Sequence, residues 1–502
     1  MRPFRRGGRR PAHALLAVLA AGLLVAGCTD GHAQSQAAGE QPGLAGGGTT
    51  PPPRAVDVKL ATGDARQSGG VVAAGAQDAV YNYGPSVMLD HGRTRMWWCS
   101  QYGSAPPPGD DILYAQAQSL DGPFGSPAAV FSGAPGGFDG MHTCDPSVLR
   151  IGTTYYLYYT GAAGDHALGN SIGLATSADG VHWTRAAGGR PILGPSHDVY
   201  RANVYGAGQP SAVYLDGWFY LMFTDTTGRA TGPNGAGQFV MRAHDPAFGF
   251  GVEALGTGGF APVGSTGAPR ERSVVDGFSA DLMWVGALDA FAVAHEVGDG
   301  TRLTFFSRDF AVQPYRPVVV GGAWQEGPGL LRRPDGHAPL SSADPCDRVP
   351  LDLVRATVNG PPGAPTDLRH FGLDVRGAGG CGSPARLATT FDGVTMPSPE
   401  RTMDLVRDGK LVRVDRRGVA AVLAGELVER RPAAVAGLPV AARLRAGAVA
   451  VHSPGRGDGF VLDDGSLWRL PDGGIAGGNA STTRDITAAE WDAYPRGSSL
   501  GG

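Results

Sequence analysis

Asp145, Gln209 and Asp281 hold the same place in a short segment that recurs along the chain, and the recurrence is what could turn them to chemistry. The segments are Tyr83-Gly84-Pro85-Ser86, Cys144-Asp145-Pro146-Ser147, Gly208-Gln209-Pro210-Ser211 and Ala280-Asp281-Leu282-Met283, with a fifth copy read at Ala343-Asp344-Pro345-Cys346. The steps between them are 61, 64, 72 and 63 residues. A carboxylate can give or take a proton, an amide can only hydrogen-bond, and a glycine offers no side chain. His142, just before Asp145, is expected near the same point, as a contact to substrate or to a central ion, or in a structural hydrogen bond.

What must position these residues is a repeated unit of short strands. After the opening segment come an apolar strand, a turn and an aromatic strand: Val148-Leu149-Arg150 into Tyr155-Tyr156-Leu157-Tyr158-Tyr159, and Val213-Tyr214-Leu215 into Phe219-Tyr220-Leu221-Met222-Phe223. A further strand follows in each unit, as at Ile112-Leu113-Tyr114, Ile172-Gly173-Leu174, Phe239-Val240-Met241, Leu303-Thr304-Phe305 and Leu368-Arg369-His370-Phe371. One such unit cannot bury both of its faces alone, so the pattern predicts an all-β, five-bladed β-propeller. Its innermost strands would line one channel. The propeller is expected over 55–398, with Arg54 to Leu60 as a strand able to close the ring. From Thr402 the aromatic strands stop, and 399–502 reads as a small β-rich accessory domain with a capped helical turn at Asp485 to Trp491.

Composition narrows the class. Gly 80 and Pro 39 suit a turn-dense β protein, and 42% hydrophobic residues argue against disorder. A net charge of −4, from 42 basic and 46 acidic residues, predicts no nucleic-acid partner. No phosphate-binding glycine fingerprint sits between a strand and a helix, and no cofactor or metal is expected. The chain is expected to be a monomer. Arg2, Arg5, Arg6, Arg9 and Arg10 precede an apolar run, Ala14 to Val25, that ends in Val25-Ala26-Gly27-Cys28. This resembles a bacterial lipobox, which implies cleavage before Cys28, acylation of its thiol and an extracytoplasmic, lipid-anchored protein; an ordinary secretory peptide is the alternative. Residues 1–28 are then the signal peptide and 29–54 a core-poor tether. Export permits disulfides among Cys99, Cys144, Cys346 and Cys381, for which three pairings exist. Neighbouring positions in a propeller favour Cys99–Cys144 and Cys346–Cys381. A metal site is the weaker reading, since no CxxC spacing occurs.

Asp145-Pro146-Ser147-Val148 with Tyr155 to Gly161, and Ser171-Ile172-Gly173-Leu174-Ala175-Thr176-Ser177-Ala178-Asp179-Gly180-Val181-His182-Trp183, resemble the five-bladed propeller glycosidases. That superfamily includes glycoside hydrolase family 43 and its invertase-like and mannoside-phosphorylase-like relatives. The resemblance runs over about residues 80–230 and thins to 390. It implies three channel carboxylates acting on a glycosidic bond: a base, an acid, and a third that tunes the acid. The base position falls on Gly84, the second carboxylate on Asp145, the third blade on Gln209 and the fourth on Asp281. Asp145 and Asp281 are therefore the expected catalytic acids, with Asp139 and Asp276 as loop acids able to replace the missing base. His142, Gln209, Trp98 and Tyr205 are the expected substrate contacts. Strand alternation allows only one of Trp97 and Trp98 to serve the channel, and Phe278 is a further aromatic candidate. The implied function is hydrolysis of β-xyloside- or arabinofuranoside-like bonds in a carbohydrate. A degenerate propeller that only binds glycan or a surface partner is the alternative. Phosphorolysis would need Arg150 and Arg201 together at the mouth.

Overall fold

The computed structural model describes residues 54–501 except 75–80, 103–108, 165–168, 359–365 and 472. The signal segment, Cys28 and the tether up to residue 53 lie outside the described residues. No described helix is long and apolar enough to cross a membrane.

The fold is all-β, as the strand pattern predicts. Five antiparallel sheets follow one another, the fifth, first and second continuous through parallel pairs, each beginning with an inner strand: Asn82–Asp90, His142–Ile151, Ala207–Leu215, Ala280–Val285 and Glu326–Arg332. Each inner strand lies against the next, and the fifth returns to the first, pairing Leu331 with Val87 and Arg332 with Met88. The outer strand of the fifth sheet is Ala61–Gln67, which runs antiparallel to Thr366–Arg376. The strand that adds the N-terminal side of the described chain to the fifth sheet thus starts one residue beyond Arg54–Leu60. Arg54–Ala55 pairs instead with Val312–Gln313 in a separate two-stranded parallel sheet.

The aromatic runs are continuous because their strands are covered on both faces. Leu157 and Tyr159 pack with Trp97, Ile112 and Phe131 of the first sheet. Tyr158, between them in sequence, packs with Leu221, Phe223 and Phe239 of the third. The same alternation sends Trp97 to the core shared with the second sheet and Trp98 to the core shared with Val354, Ala356 and Leu368 of the fifth. Cores between the third and fourth sheets and between the fourth and fifth complete the set.

The axis of the ring is closed by polar bonds. Ser86 Oγ accepts from the Val148 amide at 3.0 Å, Ser147 Oγ from Ala212 at 2.9 Å and Ser211 Oγ from Leu282 at 2.8 Å. In the fourth sheet Asp281 takes this place, its Oδ2 accepting from the Leu330 amide at 2.7 Å. Arg332, 2% exposed, fills the centre. Its Nη1 donates to the carbonyls of Leu282 (2.8 Å) and Ala212 (3.1 Å) and pairs with Asp281 at 3.2 Å.

This geometry corrects two readings. Asp281 is the counterpart of Ser147 rather than of Asp145. The fifth copy is Glu326-Gly327-Pro328-Gly329, and Asp344 instead accepts from the amides of Cys346 and Asp347 in a turn. Four inner strands open with a bulge, where Gly84, Asp145, Gln209 and Gly327 take φ of 54°, 47°, 52° and 51°. The fourth pairs without a register shift.

Both disulfides form, Cys99–Cys144 and Cys346–Cys381. The first ties the second strand of the first sheet to the inner strand of the second, beside Asp145. Replacing both Cys99 and Cys144 by alanine is expected to lower stability by about 2–4 kcal/mol. Denaturant unfolding with and without reductant measures it, and a change below about 0.5 kcal/mol would mean the sheets hold this junction unaided.

The C-terminal sheets begin at Val394–Pro397, a few residues before the expected boundary. They form two five-stranded units of the same design. In each, a three-stranded meander is flanked by a short strand parallel to its first member and another parallel to its third. Asp408-Gly409-Lys410-Leu411-Val412-Arg413 and Asp464-Gly465-Ser466-Leu467-Trp468-Arg469 are equivalent hairpins (464 − 408 = 56 residues apart). The units share one core, with Leu405, Val412 and Val414 against Phe460, Trp468 and Leu470. The capped turn is the helix Ala488–Ala493, with Thr487 and Glu490 in a capping box.

Candidate active site

The bulges bring their residues together at one end of the ring. Tyr83, Gly84, Asp145, Tyr205, Phe278, Ser279 and Glu326 are half-buried there, over buried Asp110, His142 and Gln209. Holding a non-glycine residue at positive φ costs about 1–3 kcal/mol, so Asp145 and Gln209 are kept in place by their surroundings. The approach is close. A Cβ on Gly84 would stand 3.0 Å from Asp145 Oδ1, and one on Gly327 would stand 3.1 Å from the Gly84 Cα. A first-sheet carboxylate would therefore crowd Asp145, which explains how glycine suits that place.

Burial raises the Asp145 pKa above its ordinary value, with His142 acting in the opposite sense. The Tyr205 hydroxyl stands 3.5 Å from Asp145 Oδ2, and Phe278 packs edge-on against the Tyr205 ring at 5.1 Å. Burial, then the charges of Asp145 and Asp110, push Glu326 up to about 8. Asp110 accepts from Tyr81 at 2.6 Å and pairs with His142 Nδ1 at 2.6 Å. Gln209 Oε1 accepts from Thr224 Oγ1 at 2.9 Å, and the Gln209 backbone N–H donates to Thr160 Oγ1 at 2.7 Å.

Of the expected site residues, Asp145, His142, Gln209 and Tyr205 gather at this end. Trp98 does not: it is fully buried, its indole N–H donating to Asn82 Oδ1 at 2.8 Å. Trp97 is equally buried and donates to the Gly180 carbonyl. Asp281 lies deeper, buried in its ion pair with Arg332 and bonded to the Leu330 amide, away from the bulge residues. Asp139 is spent on Arg185 and Tyr159, while Asp276 is exposed. Arg150 pairs with Asp90, and Arg201 donates to the carbonyls of Gly228 and Gly232, so the two make no common phosphate cradle.

Asp110 and Glu326 are the acids that sequence reasoning missed. Glu326 carried a signal, since Glu326-Gly327-Pro328-Gly329 repeats the Gly-Pro of Tyr83-Gly84-Pro85-Ser86. Among the described residues, the one grouping with metal-ligand geometry is Cys99, Asp110 and Cys144, and both sulfurs are committed to the disulfide.

Two acids in unlike surroundings can divide acid and base work between them. Near neutral pH the Glu326 carboxyl retains its proton, and beside it Asp145 supplies a second carboxyl.

No family model and no curated protein matches this chain. Among solved structures it is similar to glycoside hydrolases. A family 117 glycoside hydrolase from the marine bacterium Zobellia galactanivorans is 13% identical, with 63% of this chain and 91% of that one covered and a TM-score of 0.44. The α-L-arabinofuranosidase of Podospora anserina is 11% identical over 63% of this chain and 98% of its own, with a TM-score of 0.39. The catalytic domain of a family 62 α-L-arabinofuranosidase from Coprinopsis cinerea is 13% identical over 63% and 97%, also at 0.39.

Proposed function

We propose that the five sheets are the blades of a five-bladed propeller and that their bulged ends hold a glycoside hydrolase site. The observation that carries this reading is the pair Asp145 and Glu326, of which Glu326 keeps its proton up to about pH 8. Glu326 then protonates the departing glycosidic oxygen, while Asp145 activates water or attacks the sugar carbon. Tyr205 and Gln209 hold sugar hydroxyls, and Asp110 with His142 fixes the floor. The substrates are xylosides or arabinofuranosides of pentose-containing polysaccharide. Aryl arabinofuranosides, xylosides and galactosides test it directly: turnover of at least one is expected, and none by a folded sample would reject hydrolysis.

A second reading is a propeller that binds carbohydrate without cleaving it. Gly84 and Gln209, which put no carboxyl at two of the bulges, favour it. It requires saccharide affinity that survives Asp145→Asn with Glu326→Gln, and no product from the parent chain.

The protein is further proposed to be a lipid-anchored monomer outside the cytoplasm, with 29–54 as tether and the C-terminal sheets as an accessory domain. The order of basic start, apolar run and Cys28 supports the anchor. Cys28→Ser is expected to move the protein to the medium or leave it unprocessed. Fractionation that finds the variant processed and still in the membrane would reject acylation.

A further inference from the structure

We propose that a cleft between the third and fourth sheets, on the side of the ring away from Asp145, binds the carboxylate or sulfate of an acidic saccharide. The inner strand of the third sheet starts at Ala207 beside the candidate active site and ends at Leu215, and Asp216, just beyond, lines the cleft. The cleft measures about 670 Å³, within the range of about 300–1,000 Å³ typical of small-molecule sites. Four arginines line it, Arg54, Arg242, Arg272 and Arg308, against two aspartates, Asp216 and Asp309 (+4 and −2).

The arginines are not equally engaged. Arg308 is paired with Asp216 and Asp289, and Arg242 with Glu253. Arg242 is also clamped between the rings of Trp218 and Phe260, 4.5 and 4.3 Å from their centres. These two form a fixed wall. Arg272 is different: it is 6% exposed, and its guanidinium donates to the Phe310 carbonyl. No described carboxylate lies within 4.0 Å of it, Asp309 acting only from further off. A buried guanidinium without a carboxylate is costly unless an anion reaches it. Arg54, exposed at the rim, adds a second unpaired cation. A guanidinium fork matches carboxylate and sulfate oxygens two at a time, which fits an anion seated on Arg272 and steadied by Arg54.

The choice of a saccharide to bear the anion rests on the glycan reading above; the anion site itself does not. The test is calorimetric titration of the full chain with oligogalacturonate, a sulfated galactan oligosaccharide, a neutral xylo-oligosaccharide and inorganic sulfate. Binding of an acidic oligosaccharide, weakened by salt, is expected, and which one binds names the source of the anion. Arg272→Gln and Arg54→Gln should each weaken it about tenfold, while Asp145→Asn leaves it unchanged. Arg54 is exposed, so its variant keeps the test open if Arg272→Gln does not fold. Affinity for the acidic oligosaccharide unmoved by both arginine variants, inorganic sulfate binding as tightly as the sugars, or loss of affinity in Asp145→Asn alone would each overturn the proposal. No hydrolysis by the parent chain, with the anion affinity intact, would reject the active-site reading only.

Discussion

Glu326→Gln is expected to lower kcat by about 10²–10⁴-fold on substrates with poor leaving groups, the usual contribution of a positioned proton donor. Glutamine keeps the shape of the side chain and removes the proton. Aryl glycosides with acidic phenols need little protonation, so they should be much less affected. The pH profile should change with it. Activity of the parent chain is expected to fall as pH rises through about 8, where Glu326 ionises, and this limb should vanish in the variant. Stability gives an independent readout. The Glu326 pKa is raised above the ordinary value of 4.5, so between about 4.5 and 8 the unfolded chain releases a proton that the folded chain retains. Stability attributable to Glu326 is thus highest below 4.5 and declines as pH rises towards 8. Glu326→Gln should flatten that decline. Equal losses on good and poor leaving groups, with the alkaline limb unmoved, would show that Glu326 positions the site without supplying a proton.

Arg332→Met is expected to cost about 3–5 kcal/mol of unfolding free energy, the range for breaking a buried ion pair from one side. The loss strands the Asp281 carboxylate and leaves the carbonyls of Ala212 and Leu282 without their donor. Asp281→Asn in the same chain should recover part of it, because the amide still accepts from the Leu330 amide without carrying an unpaired charge. Denaturant midpoints of both single variants and the double give the coupling. A loss below about 1 kcal/mol for Arg332→Met would mean that water or neighbouring side chains replace the guanidinium.

How much of this was legible depended on which residues carried the repeat. The second and third units could be aligned from sequence because Asp145-Pro146 and Gln209-Pro210 mark a bulge, and the aromatic runs beyond them face two cores at once. The fourth could not. It has no bulge and no proline, and Asp281 imitates the bulge acid while standing where the other units place serine. The fifth was hidden for a related reason: Glu326-Gly327-Pro328-Gly329 leads into Leu330-Leu331-Arg332 with no aromatic strand close behind. Misplacing those two registers assigned catalysis to Asp281 and passed over Glu326. Trp97 and Trp98 were judged by alternation about one sheet, where the relevant choice lay between two neighbouring cores. The C-terminal duplication escaped because its two hairpins share only Asp-Gly, leucine and arginine, too few for a visible repeat.

The seating of Arg332 on the ring axis also decides how a long polymer can meet this protein. With the guanidinium bonded to carbonyls on two neighbouring inner strands and to Asp281, the ring is a cup and not a tunnel. A glycan cannot thread through it and slide, shedding one unit after another from a captured strand. On the hydrolase reading proposed above, whatever reaches Asp145 and Glu326 enters and leaves by the same opening, and each cleavage is a separate visit.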